Sequence, residues 1–588
     1  MKMKKATALI ILVTITIFST VSCGTYDSSA PPTLEYLYNT GESHQAIGEY
    51  IQSAFAAAGI TVNLSNQEWG TFLNTRKNGD FTFARNGWLA DYSDPISFLD
   101  MWTSESGNND AQLGNGSHKN VNIYSLDLRE EGYDIFIENG TWGETYDLLI
   151  SIIKSCTDTE KRYRLMHIAE DMIMDTGCIT PLYFYTDIYM KDNDLKGFYS
   201  SPLGYKFFMY TDYKGQSSIS VSLASEPESI DPAHSSTVDS ATMIAHLCSG
   251  LARWGQDGDG KLVILPECAE ELSKGNLNDD GSVTYVYNLR DGLKWSDGQA
   301  LTAYDFEFSW KRAASSSLGA DYGYMFEVIK GYGGNSDELM VKALDEKRLE
   351  VTLSVDVPYW NELLAFPTYC PVRSDAVKNE SWATDAETFI GNGAYVISSW
   401  EHNGCITLKR NENYIDKNKV KMPEIKFFLS DDANNMLTNF KNGSWQFIDN
   451  VPTNEIDTLK RDYHDEFKVS GQIGTYYIIW NVNADLLPAS NSELSYNERE
   501  RANSEIRKAL GLILDRNYIA EHIGKGGQVP ASSFVALGIK NPDGSEFSHT
   551  AGGNDEYYGY FDVSEKAYKA NVYTAIEILQ KYYNLKIP

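Results

Sequence analysis

Residues 66–100 of the chain read NQEWGTFLNTRKNGDFTFARNGWLADYSDPISFLD. The pattern predicts a helix from Trp69 to Lys77 that ends at Asn78-Gly79, because glycine after the last helical residue is a common stop signal. A strand is expected over residues 81–86, and a polar, aromatic loop over residues 87–95. The segment therefore predicts a helix, a strand and an exposed loop in close succession.

The same segment contains charged and aromatic side chains that suit ligand binding. A zwitterion with two separated charged ends needs opposite charges set apart, and flat rings between them can contact its apolar groups. The alternative is a surface ion-pair cluster beside ordinary core aromatics. The residues concerned are two tryptophans, two arginines and one carboxylate: Trp69, Trp88, Arg76, Arg85 and Asp91.

Length and composition restrict the class of protein. A chain of 588 residues is too long to fold around a single hydrophobic core and is long enough for two or three domains. Its 42% hydrophobic and 22% charged residues are globular values. A net charge of −31 argues against nucleic acid and anionic membrane surfaces as partners, since both require basic faces. The 38 tyrosines and 12 tryptophans favour ligand contact through ring faces, although large cores also consume aromatics.

The amino terminus has the features of an export signal. A basic start is followed by an apolar run over residues 6–18 and small residues before Cys23. Val21-Ser22-Cys23-Gly24 resembles a bacterial lipoprotein cleavage site, although Thr20 stands where an aliphatic residue is usual. We therefore expect residues 1–23 to be a lipoprotein signal peptide, Cys23 to carry lipid, and residues 24–31 to form a flexible tether.

Motifs for catalysis or metal binding are missing from the sequence. There is no GxSxG, HExxH, P-loop or GxGxxG after a strand, and the cysteines show no zinc spacing. The cysteines beyond Cys23 are expected to be mostly buried free thiols, although six could pair outside a cell. Residues 257–260, DGDG, predict a hairpin turn rather than a calcium loop, because Cys268 stands where a bidentate Glu is needed. We expect no enzyme activity, cofactor or metal.

Sequence patterns elsewhere indicate an α/β protein. Residues 34–64 alternate strand, helix and strand. The sequence changes in character at Ser217, and residues 218–240 read SISVSLASEPESIDPAHSSTVDS. Residues 288–298 read NLRDGLKWSDG, and a helix predicted to be N-capped by Thr302 follows. Residues 391–414 read GNGAYVISSWEHNGCITLKRNENY.

These segments, with residues 66–100, resemble the oligopeptide-binding proteins of ABC importers, solute-binding protein family 5. The resemblance implies that Asp91 holds a peptide's α-ammonium and that Arg85 and Arg76 receive the carboxylates of peptides of different lengths. It implies further roles for aromatic and imidazole side chains: Trp69 and Trp88 as pocket walls, His44 as a carboxylate ligand, and Tyr322 as a ring packed on the peptide.

The matching segments occur in an unexpected order. Segments resembling the early part of the family occupy residues 217–588, and those resembling the late part occupy residues 32–215. The resemblance thus implies a circularly permuted, two-lobed α/β fold of the periplasmic-binding-protein type II kind. A rearranged, nonfunctional chain and two partial proteins that each need a partner are the alternatives. The implied domains are a ligand-binding lobe (32–195 with 481–588), a second lobe (196–250 with 391–480) and a small domain (251–390).

The function implied by this resemblance is peptide capture outside the cell and delivery to the membrane subunits of an ABC permease. The protein is expected to be a monomer, lipid-anchored on the extracellular face of the membrane or in the periplasm. Alternatives are binding of another solute, such as a modified or signalling peptide or a glycan, and an adhesion or chaperone-like lipoprotein without a transport role.

Overall fold

The computed structural model describes most of the chain after the amino terminus. The expected signal peptide, Cys23 and most of the tether lie outside the described residues. Those residues are 29–224, 226–227, 229–235, 237–335, 338–379, 381–491, 493–548 and 560–585.

The described elements alternate between strands and helices. The strands are β1 Leu34–Asn39, β2 Val62–Gln67, β3 Phe83–Leu89, β4 Tyr124–Asp127, β5 Phe136–Gly140, β6 Ile179–Lys191, β7 Leu195–Lys196, β8 Tyr199–Ser200, β9 Lys206–Phe207, β10 Asp212–Tyr213, β11 Ser218–Leu223, β12 Ala252–Gln256, β13 Leu262–Pro266, β14 Asn276–Leu277, β15 Val283–Asn288, β16 Val341–Ala343, β17 Arg348–Leu353, β18 Tyr395–Glu401, β19 Cys405–Arg410, β20 Glu424–Leu429, β21 Phe447–Ile448, β22 Phe467–Trp480 and β23 Val529–Pro530. The helices are α1 Glu42–Ala57, α2 Trp69–Lys77, α3 Ile96–Leu99, α4 Leu148–Ser155, α5 Thr159–Asp175, α6 Val238–Leu247, α7 Ala303–Ala313, α8 Trp360–Leu363, α9 Ala433–Lys441, α10 Ile456–Asp462, α11 Tyr496–Leu512, α12 Arg516–Tyr518 and α13 Tyr568–Leu579.

A large mixed sheet runs through the molecule in the order β18-β19-β20-β11-β21-β6-β22-β3-β1-β2, with β23 paired to β6. At one end β1 lies parallel to β2 and β3, and at the other β11 lies parallel to β20 and β21. The long strands β6 and β22 pair antiparallel between these ends, with a register shift between Gly471 and Thr475. The expected α/β class is confirmed.

The two ends of the described chain share one hydrophobic core. Side chains of β1 and α1 pack there with side chains of α11 and α13, and Tyr36, Ile51, Ile506 and Leu579 are all fully buried in it. The backbone N–H of Asn584 also donates to the carbonyl oxygen of Ser29 at 2.9 Å. Segments far apart in sequence are therefore adjacent in space.

The stretch over residues 251–390 contains its own sheet, β14-β15-β17-β16. Its helix α7 is N-capped by Thr302, as the sequence predicts, and Asp305 completes a capping box with it. The hairpin β12–β13 turns at residues 257–260, where the N–H of Asp257 donates to the carbonyl of Lys261 at 2.9 Å. The hairpin turn is confirmed.

Local predictions hold for helices better than for strand ends. Helix α2 spans Trp69–Lys77, as expected. The prediction of a strand over residues 81–86 was wrong at both ends, because β3 pairs with β22 from Phe83↔Trp480 to Leu89↔Gly474 and the ladder extends into the expected loop. The described cysteines are free, and all but Cys405 are buried.

Across the described ranges, no helix combines the length and apolar character needed to span a membrane.

Candidate functional site

A cleft with an empty volume of about 1640 Å³, including solvent at its mouth, is lined by residues from three stretches of the chain. From the first stretch come residues of α2, β3 and the loop after β3. Residues 203–241 and Gln472 line another side, and residues 321–322 and 366–367 line a third. The cleft therefore draws on each of the three expected domains. Six of the seven expected ligand-binding residues line it: Trp69, Arg76, Arg85, Trp88, Asp91 and Tyr322.

Asp91 is a buried carboxylate held by hydrogen bonds on two sides. Its backbone N–H donates to Ser97 Oγ at 2.9 Å, and its Oδ2 accepts from the hydroxyl of Tyr324 at 2.9 Å. Burial raises the pKa of Asp91 to about 7, and hydrogen bonds from Tyr324 and Tyr322 partly oppose that rise. Within the described part of the chain, Asp91 forms no ion pair.

The loop that carries Asp91 is braced by buried polar contacts. Asp94 forms a bidentate ion pair with Arg162, with both N–O distances at 2.8 Å. Glu362 Oε2 accepts a hydrogen bond from the backbone N–H of Ser93 at 2.8 Å. Bidentate pairs restrict geometry as well as adding energy, so the loop is held in place before any ligand arrives.

Arg85 is a buried cation surrounded by rings. Its Nε donates to Asn39 Oδ1 at 2.6 Å. Its guanidinium carbon lies 5.2 Å from the ring centres of Trp69 and Phe72 and 5.9 Å from that of Tyr476. Among the described residues, no carboxylate lies within 4 Å of it. Aromatic faces partly stabilise the charge, which stays available to an incoming anion.

Arg76 differs from Arg85 because it already has an acidic partner. Its Nε lies 2.8 Å from Asp110 Oδ2, and both side chains are buried. The Nδ2 of Asn86 also reaches this Oδ2, at 3.4 Å. The charge of Arg76 is therefore balanced inside the cleft itself.

The aromatic residues of the cleft have distinct surroundings. Trp69 is 42% exposed, whereas Trp88 is partly buried and its Nε1 donates to the carbonyl of Ser97 at 2.7 Å. Beside Trp88, Gly87 lies so close to Tyr185 that a Cβ atom would come within 2.1 Å of the tyrosine hydroxyl. A side chain at position 87 would therefore force Tyr185 or strand β3 to shift.

Tyr322 is among the residues that line the cleft, whereas His44 is not. The Nδ1 of His44 is 3.1 Å from the hydroxyl of Tyr476, and the rings are stacked. Burial and the charge of Arg85 lower the pKa of His44 to about 3, so it is neutral at pH 7. Tyr322 lines the cleft and packs against Phe366, with ring centres 5.1 Å apart.

Sequence reasoning missed two residues of this region. Tyr324 follows Tyr322 by two positions, so the tyrosine pair was a visible signal for the contact to Asp91. Asp110 lies in an irregular stretch, and nothing in the sequence pattern marked it as a partner of Arg76.

Comparison with known families identifies the class of protein. The model described as "Bacterial extracellular solute-binding proteins, family 5 Middle" matches residues 18–110 and 264–575, more than half of the chain. The chain belongs to this family, as the sequence resemblance predicted.

Individual relatives match only part of the chain. It is 33% identical over 382 residues to the oligopeptide-binding protein OppA of Bacillus subtilis, covering 63% of each chain. It is 30% identical over 345 residues to the dipeptide-binding protein DppE of the same organism, covering 58% of this chain and 59% of that one. The chain thus spans less than two thirds of these curated relatives.

Solved structures give matches of similar extent. The Escherichia coli murein tripeptide binding protein MppA is 23% identical with a TM-score of 0.49, and the match covers 62% of this chain and 66% of that one. Listeria monocytogenes OppA bound to peptide is 24% identical with a TM-score of 0.46, and the match covers 63% and 75%.

Proposed function

We propose that this protein captures oligopeptides outside the cell and delivers them to the membrane subunits of an ABC permease. One observation carries the proposal: a buried carboxylate, Asp91, and a buried guanidinium, Arg85, line the same cleft, and neither has an ion-pair partner among the described residues. A ligand with an ammonium at one end and a carboxylate at the other supplies the missing partner to both. The relatives OppA and DppE, an oligopeptide-binding and a dipeptide-binding protein, support such a ligand.

Binding would follow from charge pairing in a site with little water. The peptide ammonium would approach Asp91 and lower its pKa from about 7, so that the carboxylate ionises as the ion pair forms. The peptide carboxylate would meet Arg85, and the tryptophan rings would contact the chain between them. Closure of the expected lobes would exclude water and strengthen both ion pairs.

We also propose that the protein acts as a lipid-anchored monomer on the extracellular face of the membrane, tethered through Cys23. The export signal and cleavage-site pattern support the anchor. Peptide transport requires only binding and release, so the protein need not catalyse any reaction.

The circular permutation is part of this proposal. Two observations support it: β1 and α13 share one core, and Asn584 is hydrogen-bonded to Ser29 through the backbone at 2.9 Å. Termini that lie close together can be joined while the chain is broken elsewhere, which is why circular permutation is tolerated. The lobe built from 32–195 and 481–588 would then be the one nearest the membrane anchor.

Calorimetry with free and N-acetylated peptides tests the amino anchor. The parent protein should bind the free peptide more tightly, and Asp91→Asn should weaken that binding by about 2 kcal/mol or more, since one partner of a buried charge pair is lost. Asp127→Asn is a matched control because Asp127 pairs with Arg129 in an exposed position outside the cleft. Equal affinity for free and acetylated peptides would exclude Asp91 as the anchor.

Native mass spectrometry of protein purified from cells tests the ligand class directly. Peptides should accompany the protein and be lost after unfolding and refolding. A co-purified glycan, with no peptide, would contradict the proposal.

A further inference from the structure

The two buried arginines of the cleft differ in their electrostatic state. The contact between Arg76 and Asp110 is a buried ion pair at 2.8 Å, so this part of the cleft has no net charge from the pair. Arg85 meets an amide oxygen of Asn39 and three aromatic rings, and within the described residues it has no acidic partner. Of these two arginines, therefore, only Arg85 has a positive charge that no acidic side chain among the described residues balances.

Asp110 is held in place by the segment around it. Its backbone N–H donates to the carbonyl of Asn108 at 2.9 Å. The neighbouring Asn109 side chain donates to the carbonyls of Thr103 and Leu113 at 3.1 and 2.8 Å and accepts from the N–H of Leu113 at 3.0 Å. Asp110 is also only 5% exposed, so moving away from Arg76 would leave its buried charge without a partner. A buried charge left unpaired is strongly unfavourable.

An anionic ligand group that reaches Arg76 must therefore share it with Asp110. Two carboxylates on one guanidinium repel each other, and that repulsion is large where little water screens it. We propose that Asp110 is a specificity-determining residue that withholds Arg76 from ligand carboxylates and confines recognition of the peptide's C-terminal carboxylate to Arg85. This inference rests on the proposed peptide-binding function.

The consequence concerns peptide length. A peptide whose last residue lies at Arg85 gains affinity from its free carboxylate. A peptide whose last residue lies at Arg76 gains little affinity from its carboxylate, because Asp110 cancels the attraction of Arg76 for that group. Replacing the carboxylate by an amide should therefore change its affinity little. The cleft then admits several lengths but reads the terminal charge at only one of them.

The test compares free acids with C-terminal amides in a series of alanine peptides of two to six residues. Calorimetry gives the ratio of acid to amide affinity at each length for the parent, Asp110→Asn and the control Asp127→Asn. Asp110→Asn should raise this ratio about 10-fold or more at a length where the parent ratio is close to one, since a charge-assisted hydrogen bond becomes available. Asp127→Asn should reproduce the parent profile.

The outcomes separate this inference from the function on which it rests. An acid-to-amide profile that is the same in Asp110→Asn and the parent overturns the role of Asp110 and leaves peptide binding intact. Failure of the parent to bind any peptide overturns the proposed function itself.

A second variant covers the case in which Asp110→Asn does not fold. Arg76→Gln combined with Asp110→Asn removes both charges while nearly preserving side-chain volume. If Asp110 withholds Arg76, this double variant keeps the parent profile at every length. A lower acid preference at any length would show that Arg76 receives carboxylates in the parent, which overturns the proposal.

Discussion

The hydroxyl of Tyr324 donates a hydrogen bond to Asp91 Oδ2 at 2.9 Å, although the two residues are 233 positions apart in sequence. Tyr324 lies in a short helical turn, Gly323–Val328, within the stretch that has its own sheet. The bond opposes the rise in the pKa of Asp91 that burial causes. A residue outside the 66–100 segment therefore adjusts the charge of the proposed ammonium anchor.

Replacing Tyr324 by Phe should move the pH dependence of peptide binding. Loss of the hydrogen bond raises the pKa of Asp91 above its value of about 7, so less of the carboxylate is ionised at neutral pH. Affinity for a free-amine peptide should rise with pH through the pKa of Asp91, until the peptide amine itself loses its proton near about pH 8. In Tyr324→Phe the rise should begin at higher pH, as measured by calorimetry. Tyr573→Phe, at an exposed tyrosine, is the control, and an unchanged profile in Tyr324→Phe would contradict the prediction.

Arg85→Ala should weaken binding of the shortest peptides most and spare longer ones. Arg85 is a buried cation of the cleft with no acidic partner among the described residues, and the loss of a buried charge partner costs roughly 2–5 kcal/mol. Affinities of peptides of increasing length, measured by calorimetry, check this expectation. Arg129→Ala, in an exposed ion pair, should leave all of them unchanged. Equal losses at every length would indicate a structural role for Arg85.

Glu170→Gln should stabilise the protein at alkaline pH. Glu170 is fully buried, its Oε1 accepts from the backbone N–H groups of Phe534 and Val535, and burial raises its pKa to about 8. The pKa of Glu170 is lower in the unfolded chain. At pH values between the two pKa values, the folded chain therefore keeps a proton on Glu170 that the unfolded chain has released. Stability of the parent should therefore fall as pH rises from about 4.5 to about 8, by at most about 1.4 kcal/mol per pH unit from this group.

Thermal unfolding across this pH range measures the effect. The Tm of Glu170→Gln minus that of the parent should increase with pH, because glutamine keeps the oxygen acceptor without a titrating proton. Glu577→Gln, at an exposed position, should show a difference that does not depend on pH. A pH-independent difference for Glu170→Gln as well would contradict the prediction.

A rejoined chain should fold and bind the same peptides. It would begin at Ser217, run to Pro588 and continue directly with residues 31–214. Ser29 and Asn584 are already hydrogen-bonded, so the new connection spans a short distance, and closing a longer loop costs only about 0.6 kcal/mol per doubling of its length. Circular dichroism, thermal unfolding and peptide affinities should match the parent. A chain that folds but has lost peptide affinity would contradict the proposed permutation.

The sequence by itself determined the local elements and the family. The Asn78-Gly79 stop predicted the end of α2 correctly, and Thr302 predicted the start of α7, because such signals act over a few residues. The motifs identified the family that the family model then matched. The candidates Asp91 and Arg85 were also visible, and the structure places both on one cleft.

Only the tertiary structure decided which charges are balanced. The extension of β3 to Leu89 depends on pairing with β22, and the neutralisation of Arg76 depends on Asp110, 34 positions away. Tyr324 reaches Asp91 from still farther along the chain. Hydrogen-bond ladders and ion pairs depend on distances between atoms after folding, whereas sequence patterns report preferences of neighbouring residues. The two arginines therefore look alike in the sequence and differ in the folded protein.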